Sequence, residues 1–141
     1  MTLTGSSGDS TLTDALGNYT LSGLVGGNYT VTPTKAARSP GSAGINTVDA
    51  VAVQRHFLMQ GTPLSGCRLT AADCAPPPLI DTIDVVAIQR FFLAYTTGTA
   101  NVGKYQFSPL NRSYSPLTTD QTAQNYDAII FGDVASPFAV P

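Results

Sequence analysis

The sequence predicts a β-domain interrupted by a pair of helices, and three observations predict it. Apolar residues alternate with hydroxyl residues at both ends of the chain, the period of half-buried strands. The middle holds an ungapped internal repeat: Ile45 to Leu58, INTVDAVAVQRHFL, returns 35 residues later as Ile80 to Leu93, IDTIDVVAIQRFFL. Turn-forming glycines, prolines and asparagines separate the segments. A repeat of this kind is one supersecondary unit used twice, each copy covering the other's apolar face.

The first β region runs from Thr2 to Thr34. MTLTGSSGDS reads as a strand entering a Ser/Gly turn, and Tyr19 to Ser22 and Tyr29 to Thr32 alternate in the β period. Pro33 ends the ladder. AARSPGSAG is a loop, and the first repeat then places Val48, Val51, Ala52 and Leu58 near helical spacing. LTAAD forms one helical turn, three consecutive prolines stiffen the next loop, and the second helix runs to about Tyr95. From Lys104 the period returns to two, with strands at Tyr105 to Ser108, Arg112 to Tyr114 and Gln124 to Phe131. The expected division is a β-domain of 1–35 and 104–141 around a helical insert of 36–103. Insertion at an exposed turn is tolerated because the ends of the insert lie close together.

Composition narrows the function classes. The chain has 141 residues, 43% hydrophobic and 11% charged, with a net charge of −2. Its 7 Lys and Arg form no basic run, which argues against nucleic acid as a partner. No run of about 18 apolar residues spans a bilayer. No secretory signal precedes Thr2, so either a signal has been removed or the chain starts inside a longer product. All 9 acidic residues are Asp, and Ser and Thr are abundant. This fits an extracellular or cell-surface protein. Cys67 and Cys74 lie close together in a loop-like stretch, and a local disulfide is the expected pairing, with two free thiols as the alternative.

No catalytic constellation emerges. His56 is the single histidine, and Phe91 fills its position in the second repeat, which marks an aromatic packing site. Neither a nucleophile elbow nor a phosphate loop is present. Asn46 and Asp81 suit helix N-caps, with Asp49 and Asp84 three residues on in the first turn. Three glycosylation sequons stand beside strands, at Asn18, Asn28 and Asn111. Asn also suits turns and Thr suits strands, so such triplets arise without a glycan.

Two resemblances follow from these residues. Asp14…Gly17-Asn18-Tyr19-Thr20-Leu21…Gly27-Asn28-Tyr29-Thr30-Val31-Thr32-Pro33, with Tyr105-Gln106-Phe107-Ser108-Pro109…Tyr114, resembles the carboxypeptidase-regulatory-like (Cna B-type) domain. That resemblance implies an immunoglobulin- or prealbumin-like β-sandwich serving as spacer, stalk or adhesin, without catalysis, here lacking its usual opening strand. The repeats, in which Asn/Asp-Thr-Val/Ile-Asp leads into an Ala/Val-rich helix ending in Phe-Leu, resemble a dockerin, a paired EF-hand-like calcium module.

The dockerin resemblance places Asn46 and Asp81 at the ninth loop position, Asp49 and Asp84 at the twelfth, and Asp73 at the first of the second loop. Ala75 and Pro77 stand where the family has Asp or Asn. Arg38, Pro40 and Ser42 take the matching places in the first loop. Calcium therefore competes with plain capping, because each ion needs six to eight oxygens. Arg38 paired with Asp49 is a further expectation in place of the cation. In that family Thr47, Val48, Thr82 and Ile83 face a cohesin-like partner. The leading expectation is a structural subunit polymerising head-to-tail by strand complementation, with the apolar tail around Val134 and Phe138, or else an N-terminal segment, as donor. The alternative is a dockerin-type binding module.

Overall fold

Strands, helices and strands follow in the predicted order in the computed structural model, which describes residues 1–135. The chain is mixed in class, with six strands in two antiparallel sheets and three helices among the described residues. It divides into two units: Met1–Lys35 with Phe107–Asp127, and Ala36–Gln106 with the segment from Ala128 onward. The return to the β-unit thus falls at Phe107 rather than 104. Residues Ala128 to Ala135 cluster with the helices instead of the strands.

The β-unit is built on one four-stranded sheet. Strands β1 (Thr2–Gly5), β2 (Asp9–Ser10), β3 (Gly27–Thr32) and β5 (Arg112–Leu117) lie in the order β2-β1-β3-β5. The register sets Leu3 opposite Val31, and Tyr29 opposite Tyr114. The period of two then puts Leu3, Tyr29 and Val31 on the covered face, where they are buried. The other face carries threonines, and Thr30 shares a 3.0 Å hydrogen bond with Ser113. Gly5 is required because an added Cβ would lie 2.1 Å from the Asn28 carbonyl oxygen.

Tyr19 to Ser22, expected as a strand, is not one. Its alternation survives, since Tyr19 and Leu21 are half-buried against the Leu3 cluster while Thr20 and Ser22 are exposed. No strand ladder engages its backbone, because Tyr19 and Leu21 pack on the covered face of the sheet rather than along an edge, which leaves an irregular cover. Hydroxyls fasten further segments: Tyr19 donates to the Gln124 carbonyl at 2.7 Å, and Tyr126 to that of Val31 at 2.9 Å. Burial, before its tyrosine neighbours, pushes the Tyr126 hydroxyl up to about 12.

Strands β4 (Tyr105–Ser108) and β6 (Asp127–Ile130) form a separate two-stranded ladder. The expected strand of Gln124 to Phe131 is therefore shorter at both ends.

In the helical unit α1 (Thr47–Phe57) and α3 (Thr82–Phe92) pack on each other, with α2 (Cys67–Ala72) between them in sequence. Ala50 and Val53 of α1, Ala71 and Ala72 of α2, and Val85, Ala87, Ile88 and Phe91 of α3 share one core with Ile130 and Val134. Both long helices end alike. Gln60 donates to Arg55 and Met59 to His56, and 35 residues on Tyr95 donates to Arg90 and Ala94 to Phe91. These are Schellman caps, yet the left-handed position holds Met59 (φ 56) and Ala94 (φ 61), not glycine. Met59 is 95% exposed. Met59→Gly is therefore expected to stabilise the protein by about 1 kcal/mol, read from its urea midpoint.

Candidate functional site

The features with a chemical identity cluster at the starts of α1 and α3. Each helix opens with the same reciprocal cap. Asn46 Oδ1 accepts from Val48 N at 2.8 Å, and Asp49 Oδ2 accepts from Asn46 N at 2.8 Å. In the second repeat Asp81 Oδ1 accepts from Ile83 N at 2.6 Å, and Asp84 Oδ2 from Asp81 N at 2.9 Å. Capping explains all four residues locally, as their i, i+3 spacing predicts.

The other oxygen of each helix carboxylate has a long-range role. Asp84 Oδ1 accepts from Cys74 N and Ala75 N, both at 2.8 Å. Asp49 Oδ1 accepts from Val134 N and Ala135 N, both at 2.8 Å. Asp49 and Asp84 are 1% and 0% exposed, so each is a buried anion held by three backbone donors. Hydrogen bonds to an ionised acceptor are the strong ones, and they offset the desolvation of the charge.

Tested against this donor set, a calcium ion does not fit. Calcium takes six to eight oxygens, whereas Asp49 and Asp84 already turn both oxygens toward N–H groups. Ala75 and Pro77 bring no side-chain oxygen to the second loop. Arg38, expected opposite Asp49, donates instead to the Ala43 carbonyl at 2.9 Å and to Tyr105 Oη at 3.3 Å. The amides of Val134 and Ala135 occupy the position on Asp49 expected for it.

Asp73 lines a shallow groove with Leu69, Thr70, Leu79, Ile80 and Phe131. Burial, then the negative charges of Asp84 and Asp81, raises its carboxyl above the usual 3.8. The folded state thus binds this proton more tightly than the unfolded chain does. Asp73 accordingly favours folding below pH 3.8, and that contribution is lost as pH rises through its folded-state pKa. Asp73→Asn is expected to raise the melting temperature at neutral pH, with the gain vanishing in acid. A loss at neutral pH with calcium present would instead mean that the carboxylate has a cation partner.

The cysteines are both free, against the expected disulfide. Cys67 opens α2 and is exposed, whereas Cys74 is 0% exposed and its thiol faces the Asp84 carbonyl at 3.9 Å. The physical reason is that Asp84 fixes the Cys74 backbone and turns its sulfur into the core. Burial, with the Asp84 charge, pushes the Cys74 thiol well up. A maleimide is expected to label one thiol in the native protein and two after denaturation; protection of both would restore the disulfide.

His56 is half-buried, and its Nδ1 accepts from Leu64 N at 3.1 Å, a loop-fixing bond. Asn18, Asn28 and Asn111 are all exposed. Asn18 nevertheless donates to Asp14 at 3.0 Å, and Asn28 accepts from Ser115 Oγ at 3.0 Å. Val134, expected in a donated strand, is 0% exposed inside the core of its own helical unit, held there by Asp49. Phe138 lies outside the described residues.

Thr47, Val48, Thr82 and Ile83 are exposed. Sequence reasoning missed how far their pattern extends. Val48 and Ile83, Val51 and Val86, Phe57 and Phe92, and Leu58 and Leu93 are pairs at the repeat offset, and all eight are exposed. The signal was present in the repeat itself, since a core needs only one apolar face per helix and these helices carry two. Compared with known families, with curated proteins and with solved structures, the chain matches none.

Proposed function

We propose that this chain is a non-catalytic structural subunit of an extracellular assembly, whose β-unit accepts a strand from another copy. The observation that carries this reading is the sheet order β2-β1-β3-β5. It leaves β5 at an edge, over a core whose fully buried apolar residues are Leu3, Tyr29 and Val31. An open edge on a thin core invites strand addition, which supplies main-chain hydrogen bonds and widens the sheet over that core. The β-unit is then an incomplete sandwich of the carboxypeptidase-regulatory-like type. Because residues up to Ala135 are tied to α1, the donor is a segment other than Gly132 to Ala135. The all-Asp, Ser/Thr-rich composition supports an extracellular setting, to which the free thiols add nothing.

Electron microscopy of the purified chain, with and without chelator, tests the proposal. Regular fibres in both conditions are expected. Ser115→Lys on the exposed edge strand is expected to abolish them, with only a small fall in melting temperature from the lost Ser115–Asn28 hydrogen bond. Dispersed monomers at every concentration would reject it.

A second reading is favoured by a specific observation, the four repeated pairs of exposed apolar residues on α1 and α3. It makes the helical unit a docking module for a cohesin-like partner. Val48→Asp with Ile83→Asp would then abolish co-purification of that partner, and fibre formation would be unaffected.

A further inference from the structure

The helical unit repeats at an offset of 35 residues, but one part of the repeat is out of place. The second helix receives its amides from Cys74 and Ala75, in the loop just before it. A contiguous first repeat would offer Ser39 and Pro40 to Asp49. Pro40 has no N–H to give, and the backbone of Arg38 is committed to the Gly103 carbonyl at 2.8 Å.

Asp133-Val134-Ala135 stands there instead. It repeats the chemistry of Asp73-Cys74-Ala75: an aspartate, then a residue with no exposed surface, then alanine. In both, the second and third residues donate to the Oδ1 of the helix aspartate at 2.8 Å. Gly132 N donates to the Ala71 carbonyl of α2 at 2.8 Å, fixing the returning segment.

We infer that Asp133–Ala135 is the detached first half of the first repeat's loop, returned from 85 residues away in sequence, and that two carboxylate–amide clamps close the helical unit without a metal ion. The two amide dipoles on each Oδ1 stand where a cation would neutralise the carboxylate, and the third amide completes the cap. The helical unit is therefore a permuted pair, cut inside its first loop and rejoined through Asp49. This inference is independent of the proposed assembly.

Hydrogen exchange by nuclear magnetic resonance on the full chain tests it. The amides of Cys74, Ala75, Val134 and Ala135 are expected to be protected, with the same chemical shifts in excess calcium and in chelator. The melting temperature is expected to be the same in both. Asp49→Asn should speed exchange at Val134 and Ala135 by about tenfold or more while sparing Cys74 and Ala75, and Asp84→Asn should do the reverse. Calcium-dependent shifts of these four amides, with a raised melting temperature, would overturn the inference. So would unchanged exchange at Val134 and Ala135 in Asp49→Asn. Where a variant does not fold, the wild-type comparison in calcium and chelator decides alone.

Discussion

Asp84→Ala is expected to destabilise the protein by about 2–5 kcal/mol, because it strands buried backbone donors that cost about 1–3 kcal/mol each. The carboxylate accepts from Cys74 N, Ala75 N and Asp81 N. Truncation leaves these donors without an acceptor, and a stranded buried donor costs about 1–3 kcal/mol. The Asp81 donor counts least, since Asp81 is only half-buried. Asp49→Ala is expected to follow with a somewhat smaller loss, since Ala135 and Asn46 are also half-buried. Urea unfolding at constant m-value is the measurement. Total stability of a small domain is about 5–15 kcal/mol, so either variant removes a large share. A loss below about 1 kcal/mol for Asp84→Ala, the size of an ordinary surface change, would show that the amides find other acceptors.

Phe91→Ala is expected to cost about 3–5 kcal/mol by leaving a cavity in the core. Phe91 is 1% exposed and sits in one cluster with Ile88, Val53 and Val102. The fit is tight, since a Cβ added at Gly103 would come within 2.6 Å of its ring. The repeat supplies an internal control. His56, at the matching position of α1, is half-buried and bonds to Leu64 N, so His56→Ala should cost clearly less. Equal losses for the two would mean that the repeats bear equally on the core and that the histidine packs as the phenylalanine does.

These two results test different parts of the molecule. The aspartate variants probe polar clamps at the helix starts, and the phenylalanine variant probes apolar packing in the core. The phenylalanine variant replaces none of the exposed residues of the docking face, whereas the aspartate variants alter the caps that begin beside Val48 and Ile83.

The sequence by itself determined the elements whose causes are local. The α1 and α3 starts at Asn46 and Asp81 were legible because a capping box needs only residues three apart. Strands β1, β3, β4 and β5 were legible from their alternation, as was the inward turn of Tyr19 and Leu21. Only the tertiary structure decided what those residues meet. That Tyr19 to Ser22 is no strand depends on which edges are free to pair, and alternation carries no record of a partner. The free state of Cys67 and Cys74 depends on Asp84 turning one sulfur inward. The burial of Val134 and the occupant of Asp49 depend on a segment 85 residues distant. An Asp in the first turn of a helix looks the same in sequence whether it binds a cation or two amides. The choice is made by which donors the fold brings within 2.8 Å of its oxygens.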